Sequence, residues 1–307
     1  MKTESYIVMT EQEGERLDKY LSSLYPDYSR SFFQKLVKEQ NVQVNNKLVK
    51  VNYCVKANDS VFVTIPDAVD SEIVAEDIPL DILYEDNDIL IVNKPKGMVV
   101  HPSAGHYSGT LVIAIMFHCK DSLSGINGEI RPGIVHRIDM DTTGSLIICK
   151  NDESHIKIAE QIKVHSVNRI YEGIVYGNLK EDTGTINAPI GRNPNNRKKM
   201  AINEKNGKEA ITHYKVLARN KNYCYVQFKL ETGRTHQIRV HMASIGHPLL
   251  GDSLYACNKN SFKNLQGQTL HAKTIGFIHP RTNEYLEISA PLPEYFKKLL
   301  VQLKLSK

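Results

Sequence analysis

The 307-residue chain has no apolar stretch long enough to span a bilayer. Its longest strongly apolar run, Leu111 to Phe117, predicts a buried helix instead. Met1-Lys2-Thr3-Glu4-Ser5 is followed at once by charged residues and has no secretory core, so export is not expected. The five cysteines (Cys54, Cys119, Cys149, Cys224, Cys257) are scattered and never form a C-x-x-C pair. Such spacing suits neither a disulfide framework nor a cysteine-based zinc site. Cys149 ends an apolar run and Cys224 opens one, as reduced core residues do, and a cytoplasmic setting is expected. There is no phosphate-cradling glycine loop, no metal-ligand cluster, no internal repeat and no low-complexity tract.

What remains has the composition of a globular protein, 41% hydrophobic and 24% charged, with length for one large domain and a small one. The net charge of +5 is compatible with a polyanion partner without demanding one. Its distribution is uneven. Residues 67–88 are acidic, whereas Arg192-Asn193-Pro194-Asn195-Asn196-Arg197-Lys198-Lys199 is basic and turn-rich, either a phosphate-tracking loop or a solvated one.

Residues 12–66 read as a small α/β unit. Leu17, Tyr20, Leu21 and Leu24 recur at helical spacing up to Pro26, and Phe33, Leu36 and Val37 follow a cap at Ser29 or Ser31. Two short alternating runs around Asn45-Asn46 predict a hairpin, and Val61 to Ile65 a strand. Arg30, Lys35 and Lys38 accompany the apolar face of the helices. Residues 67–79 form a linker. From residue 80 to 307 short β-type runs dominate. A hairpin turns at Asp86-Asn87, Ser145 to Cys149 is a core strand, and Tyr225 to Leu230 alternates strictly. Helices are expected after Thr110, from Ser154 to Lys163 and from Thr235 to Ile245. The fold class is α+β, with a mainly antiparallel sheet and without βαβ alternation.

The most unusual passage is the polar run His136-Arg137-Ile138-Asp139-Met140-Asp141-Thr142-Thr143-Gly144, between a Pro132-Gly133 turn and a core strand. A calcium loop would need Glu where Lys150 stands. A kinase catalytic loop would need Asp directly after Arg, with further motifs that are missing. An Asp-x-Asp-x-Thr phosphatase would need a long apolar strand before Asp139 and a doubly wound fold, but Val135-His136-Arg137-Ile138 is polar.

The same run closely resembles the signature of the RluA/RluD-type large-subunit RNA pseudouridine synthases, with Asp139 at the catalytic position. Further blocks match in order: Asn93-Lys94-Pro95-Lys96-Gly97 through His101-Pro102, Arg169-Ile170-Tyr171, Glu231-Thr232-Gly233-Arg234-Thr235-His236-Gln237-Ile238-Arg239-Val240-His241, Gly251-Asp252 with Tyr255, and Leu270-His271-Ala272. Met140, Ile138 and Ala256 depart from the usual residues without removing a reactive group. Arg16-Leu17-Asp18, Ser29-Arg30-Ser31 and Val42-Gln43-Val44 resemble the ribosomal-protein S-four type RNA-binding domain. The two-domain layout and the stretch Val99-Val100-His101-Pro102 with Ala104-Gly105 resemble the D-type member.

The resemblance implies isomerisation of chosen uridines in structured RNA, ribosomal RNA before transfer RNA, with no cofactor, no metal, no membrane and no obligatory protein partner. It assigns Asp139 as the catalytic carboxylate, Arg234 as the cation that keeps it ionised, and Tyr171 as the ring for the extruded uracil. A carboxylate must be ionised to act as nucleophile or base, and an apolar pocket alone would oppose that. Arg137 has two open readings, filling the gap left by the flipped base or binding phosphate. His136 stands with it on the expected RNA side, as do Arg30, Lys35, Arg192 and Lys198; as a ligand, His136 is less expected than as a hydrogen-bonded structural residue.

Overall fold

The computed structural model describes the chain except residues 1, 26–27, 29, 66–74, 103–105, 121, 125–131, 197, 257–261, 263–264 and 307, with residues 2 and 31 described in backbone only. The expected stop at Pro26, a cap at Ser29 or by the Ser31 side chain, most of the 67–79 linker, Ala104-Gly105, Arg197 and Cys257 fall outside what is described. Two compact units emerge, Met1–Glu72 and Ile73–Lys307.

The first unit contains β1 (Lys2–Ile7), α1 (Leu17–Leu24), α2 (Arg30–Lys38), β2 (Val42–Val44), β3 (Lys47–Leu48) and β4 (Ser60–Ile65), its sheet ordered β1-β4-β2-β3. β1 precedes the expected start at residue 12 yet pairs along the length of β4. The helical stripe read from the sequence is the buried one: Leu17, Tyr20, Leu21, Phe33, Leu36 and Val37 pack on Val42, Val44, Val61 and Val63. Asn45 and Asn46 both adopt positive φ (52° and 61°), as a two-residue hairpin turn requires and Asn tolerates.

The second unit runs β5 (Ile82–Glu85), β6 (Ile89–Lys94), α3 (Leu111–Cys119), β7 (Thr143–Cys149), α4 (Asp152–Lys163), β8 (Asn168–Tyr176), β9 (Thr183–Asn187), β10 (Ile190–Arg192), β11 (Met200–Ile202), β12 (Ile211–Arg219), β13 (Tyr223–Leu230), α5 (Gln237–Ser244), β14 (Leu270–Ile278), β15 (Tyr285–Ser289) and α6 (Glu294–Gln302). Its large sheet is ordered β5-β6-β7-β14-β8-β13-β12-β9, with β15 paired to β14. β6 and β7 are covered on both faces. Leu90, Val92, Leu146 and Ile148 pack with α3, while Ile89, Ile91, Ile147 and Cys149 pack with Ile158 of α4. Double burial explains why these strands read as continuous apolar runs rather than alternating ones. Burial also pushes the Cys149 thiol up to about 12, leaving it unreactive.

The sheet is antiparallel except where β7 meets β14, with Thr143 opposite His271 and Gly144 opposite Ala272. β14 is poorly legible as a strand because His271, Lys273 and Thr274 break its apolar pattern. In the fold the His271 ring bonds Thr143 Oγ1 (2.8 Å) and Ala290 O (3.3 Å), so its polarity is satisfied. The basic 192–199 stretch connects the hairpin β10–β11, in which Asn193 Oδ1 accepts the N–H groups of Asn195 and Asn196. Among the described residues, no helix is long and apolar enough to cross a membrane.

One row of paired residues crosses the sheet beneath the polar loop: Lys94, Gly144, Ala272, Tyr171 and Phe228. Gly144 has φ +108°, and a Cβ there would lie 2.2 Å from Ala272 O. Gly144→Ala is therefore expected to destabilise the protein by about 3 kcal/mol, measured by urea unfolding.

Candidate active site

The loop carrying Asp139 is held from below. Lys94 is fully buried at the end of β6, and its ammonium donates to Pro95 O (2.8 Å), Met98 O (2.7 Å) and Met140 O (2.8 Å). Three donors meet three carbonyls, so the loop is tied to the edge of its own core strand. Burial lowers the Lys94 pKa to about 7, against the pull of Asp141 and Asp139. Thr142 N–H closes the turn on Asp139 O at 3.0 Å.

His136 braces the loop from the other side. Its Nε2 accepts the backbone N–H of Ile147 at 3.0 Å, which requires a neutral ring. Removal from water, helped by Arg169, pushes its pKa down to about 3. Of His136, expected with Arg137 on the RNA side, the acceptor nitrogen faces β7 while the residue is partly exposed.

The cation on Asp139 is Arg239, where Arg234 was expected. Arg239 Nη1 donates to Asp139 Oδ2 at 2.9 Å, while Nε and Nη2 donate to Asp252 at 2.7 and 3.0 Å. The Asp252 side chain is fully buried and that of Asp139 is 19% exposed, so the fork anchors on the inner carboxylate and presents the outer one. Burial works against the Arg239 charge, but Asp252 and Asp139 together raise its pKa. Arg234 borders the same cleft, with Nε turned to Glu209 O at 2.8 Å. The cause lies in the turn between them. Gln237 Oε1 accepts from Thr232 Oγ1 and Arg234 N (both 2.9 Å), and its amide donates to Ile211 O at 2.9 Å. That turn starts α5 with Arg239 on the inward face. Arg239 stood inside a quoted block without being singled out; a basic residue flanked by Ile238 and Val240 was the available signal.

Tyr171 lies on β8, opposite Ala272 and Phe228, and is 9% exposed. Burial raises its pKa, with Arg169 opposing and Asp139 adding to the rise. With Asp139, Arg137, Leu230, Arg234 and Arg239 it lines a cleft of about 370 Å³. A wider cavity of about 1150 Å³ shares Arg137, Asp139 and Arg239 and extends to Val100, His101 and Gln268. Arg137 is exposed and borders both. Arg192 and Lys198 are exposed on the β10–β11 hairpin, which packs against α5 through Ile190, Met200 and Val240.

In the first unit, Lys35 is exposed, 3.8 Å from Glu39. Arg30 shares buried Asp18 with Arg16 and Gln34. Burial opposes the Asp18 charge, but these donors bring its pKa down to about 2. Arg30 remains half-exposed.

Asp86, Asp88 and His279 place ligand atoms within 4.8 Å of one another. Their oxygens are already engaged. Arg281 donates to both oxygens of Asp88, while Asp86 accepts from Tyr84, two backbone N–H groups and the His279 ring. This is a structural knot at the β5–β6 turn, better suited to an arginine than to a metal.

Arg239→Met should cost about 3–5 kcal/mol in urea unfolding, because it strands buried Asp252, whereas Arg234→Met should cost under about 1 kcal/mol. A second expectation concerns acid. Burial lowers the pKa of His271 to about 4 as well as that of His136 to about 3. Below about pH 6.5 the unfolded chain takes up protons that the folded one refuses, so stability falls as pH drops toward 4. His271 alone should account for about 2 kcal/mol between pH 7 and 5, and His271→Gln should show a shallower dependence.

Comparison with known proteins agrees with this architecture. A family model described as RNA pseudouridylate synthase matches residues 88–244, and an S4 domain model matches residues 15–61. The chain is 50% identical over 294 residues, 96% of each chain, to an uncharacterized RNA pseudouridine synthase of Bacillus subtilis. It is 43% identical over 319 residues to a ribosomal large subunit pseudouridine synthase D of Zymomonas mobilis, covering 100% of this chain and 99% of that one. The solved structure of human RNA Pseudouridylate Synthase Domain Containing 1 shares the fold, with TM-score 0.57 and 24% identity over 79% of this chain and 98% of that one. With a family model matching residues 88–244 and relatives similar over nearly its full length, the chain belongs to the RNA pseudouridine synthase family and is an isomerase acting on structured RNA.

Proposed function

We propose that this enzyme isomerises uridines of large-subunit ribosomal RNA in the cytoplasm, with Asp139 as the catalytic carboxylate. The observation that carries the assignment is the Arg239 fork, which holds one oxygen of Asp139 and leaves the other facing the cleft beside Tyr171. Relatives named ribosomal large subunit pseudouridine synthase D, in Zymomonas mobilis and Pseudomonas aeruginosa, support the choice of RNA.

The reaction breaks the N1–C1′ bond, rotates the base and joins C5 to C1′, while the proton lost from C5 is balanced by one gained at N1. No group enters or leaves. Asp139, held by Arg239, drives the cleavage, and Tyr171 stacks on the detached uracil so that it turns without escaping. Extruding a uridine costs a few kcal/mol, and Arg137 at the mouth of the cleft fills the space it vacates. Arg234 stands at the rim to meet the phosphate of the flipped nucleotide, with Arg192 and Lys198 of the hairpin tracking the flanking backbone. Arg30 and Lys35 of the first unit add sequence-independent affinity for folded RNA.

The test is pseudouridine mapping on ribosomal and transfer RNA transcripts in EDTA. Wild type should modify the large-subunit transcript, and Asp139→Asn should lose at least about 10³-fold in rate with RNA affinity within about threefold. Modification confined to transfer RNA would overturn the substrate assignment, and an active Asp139→Asn would overturn the site.

A further inference from the structure

His236 lies against Asp139 on the side opposite Arg239, with Nε2 3.9 Å from Oδ1. Its Nδ1 is 2.9 Å from the hydroxyl of Tyr255. That hydroxyl accepts the backbone N–H of Met200 at 2.8 Å, and its own proton has two acceptors in reach, His236 Nδ1 at 2.9 Å and Met200 O at 3.3 Å. The contact to His236 is the shorter of the two, and which partner donates in it is set by the His236 tautomer. Tyr255 touches the rest of the site too. Its ring lies under the Arg239 guanidinium (5.2 Å) and edge-on to the His236 ring (5.7 Å), and its N–H donates to Asp252 Oδ1 at 3.1 Å.

His236 caps α5 in the left-handed region (φ 58°, ψ 21°), uncommon for a residue with a side chain and a sign that the ring is held where it is needed. Burial lowers its pKa, with Asp139 opposing and Arg239 assisting, so the ring is predominantly neutral and carries one proton.

We propose that Tyr255 and His236 are positioning residues: Tyr255 donates to Nδ1, fixes the Nε2–H tautomer, and thereby aims a second donor at Asp139 Oδ1 that closes on the carboxylate when the uridine enters. The inference rests on Asp139 being the catalytic carboxylate. Arg239 serves Oδ2 from the protein interior, and His236 serves Oδ1 from the cleft. Because Met200 opens β11, the seating of the basic hairpin orients the Tyr255 hydroxyl and, through it, the ring at the reacting carboxylate. RNA held by that hairpin therefore favours the arrangement in which Asp139 is aligned.

Tyr255→Phe removes only the hydroxyl. In the full-length enzyme it should lower kcat by about 30-fold and leave KM for RNA within about threefold, since the hairpin stays packed on α5 through Ile190 and Val240 and no basic side chain changes. Ring 15N spectra should show His236 as the Nε2–H tautomer in the wild type and a mixture in Tyr255→Phe. His236→Gln keeps an N–H where Nε2 stood and should remain within about tenfold of wild type, whereas His236→Asn, too short to reach, should fall at least about tenfold further. Unchanged kcat and tautomer in Tyr255→Phe, an Nδ1–H ring in the wild type, or equal losses in the Gln and Asn variants would each overturn the inference. Asp139→Asn run alongside separates the two readings. If it is active, the site assignment falls and takes this inference with it; if it is inactive while Tyr255→Phe behaves as wild type, only the positioning role falls.

Discussion

Arg239 makes three hydrogen bonds to two carboxylates, one fully buried and one at the floor of a cleft. A guanidinium can do this because its planar fork offers separate N–H pairs in fixed directions, which a lysine cannot reproduce. Asp252 inside neutralises the cost of burying the cation, and the remaining N–H of the fork holds the Asp139 carboxylate in the cleft beside Tyr171 and Leu230. The turn that aims α5, the loop of Asp139 and the Gly251-Asp252 corner must all arrive together for the fork to close.

The supporting groups divide by charge state. Those that must be neutral are His271, on β14, and His136, in the loop before β7 with its ring against that strand; burial strips their proton and their rings bond backbone or hydroxyl groups. Lys94 Nζ, by contrast, gathers three carbonyls and stiffens the loop at Met140, next to Asp139. Gly144 lets β7 approach β14 closely enough that the row from Lys94 to Phe228 passes directly beneath. A carboxylate on a loop thus acquires the positional precision of a sheet, which matters when an ångström of misplacement slows a reaction about a hundredfold.

Exposed basic side chains occur on both units. In the first, a buried Asp18 gathers Arg16, Arg30 and Gln34 and so orders part of a basic surface that would otherwise be free side chains. In the second, the hairpin is short, but its first strand packs on α5 and its second is tied to Tyr255. A basic hairpin is thus fastened to the helix that carries Arg239.

Local sequence determined a good deal. The helical stripes of α1 and α2, the Asn45-Asn46 hairpin, the doubly buried β6 and β7 and the inert Cys149 and Cys224 all follow from short-range periodicity and burial chemistry, which neighbouring residues settle among themselves. The family and the Asp139 loop were legible because ordered motifs survive without coordinates. Tertiary structure alone decided the parallel meeting of β7 and β14, the strand character of a segment interrupted by His271 and Lys273, and the choice of Arg239 over Arg234. The two arginines are five residues apart in one motif, and composition does not separate them. What separates them is the direction in which Gln237 launches α5 and the position of Asp252, both long-range facts that no window of sequence contains.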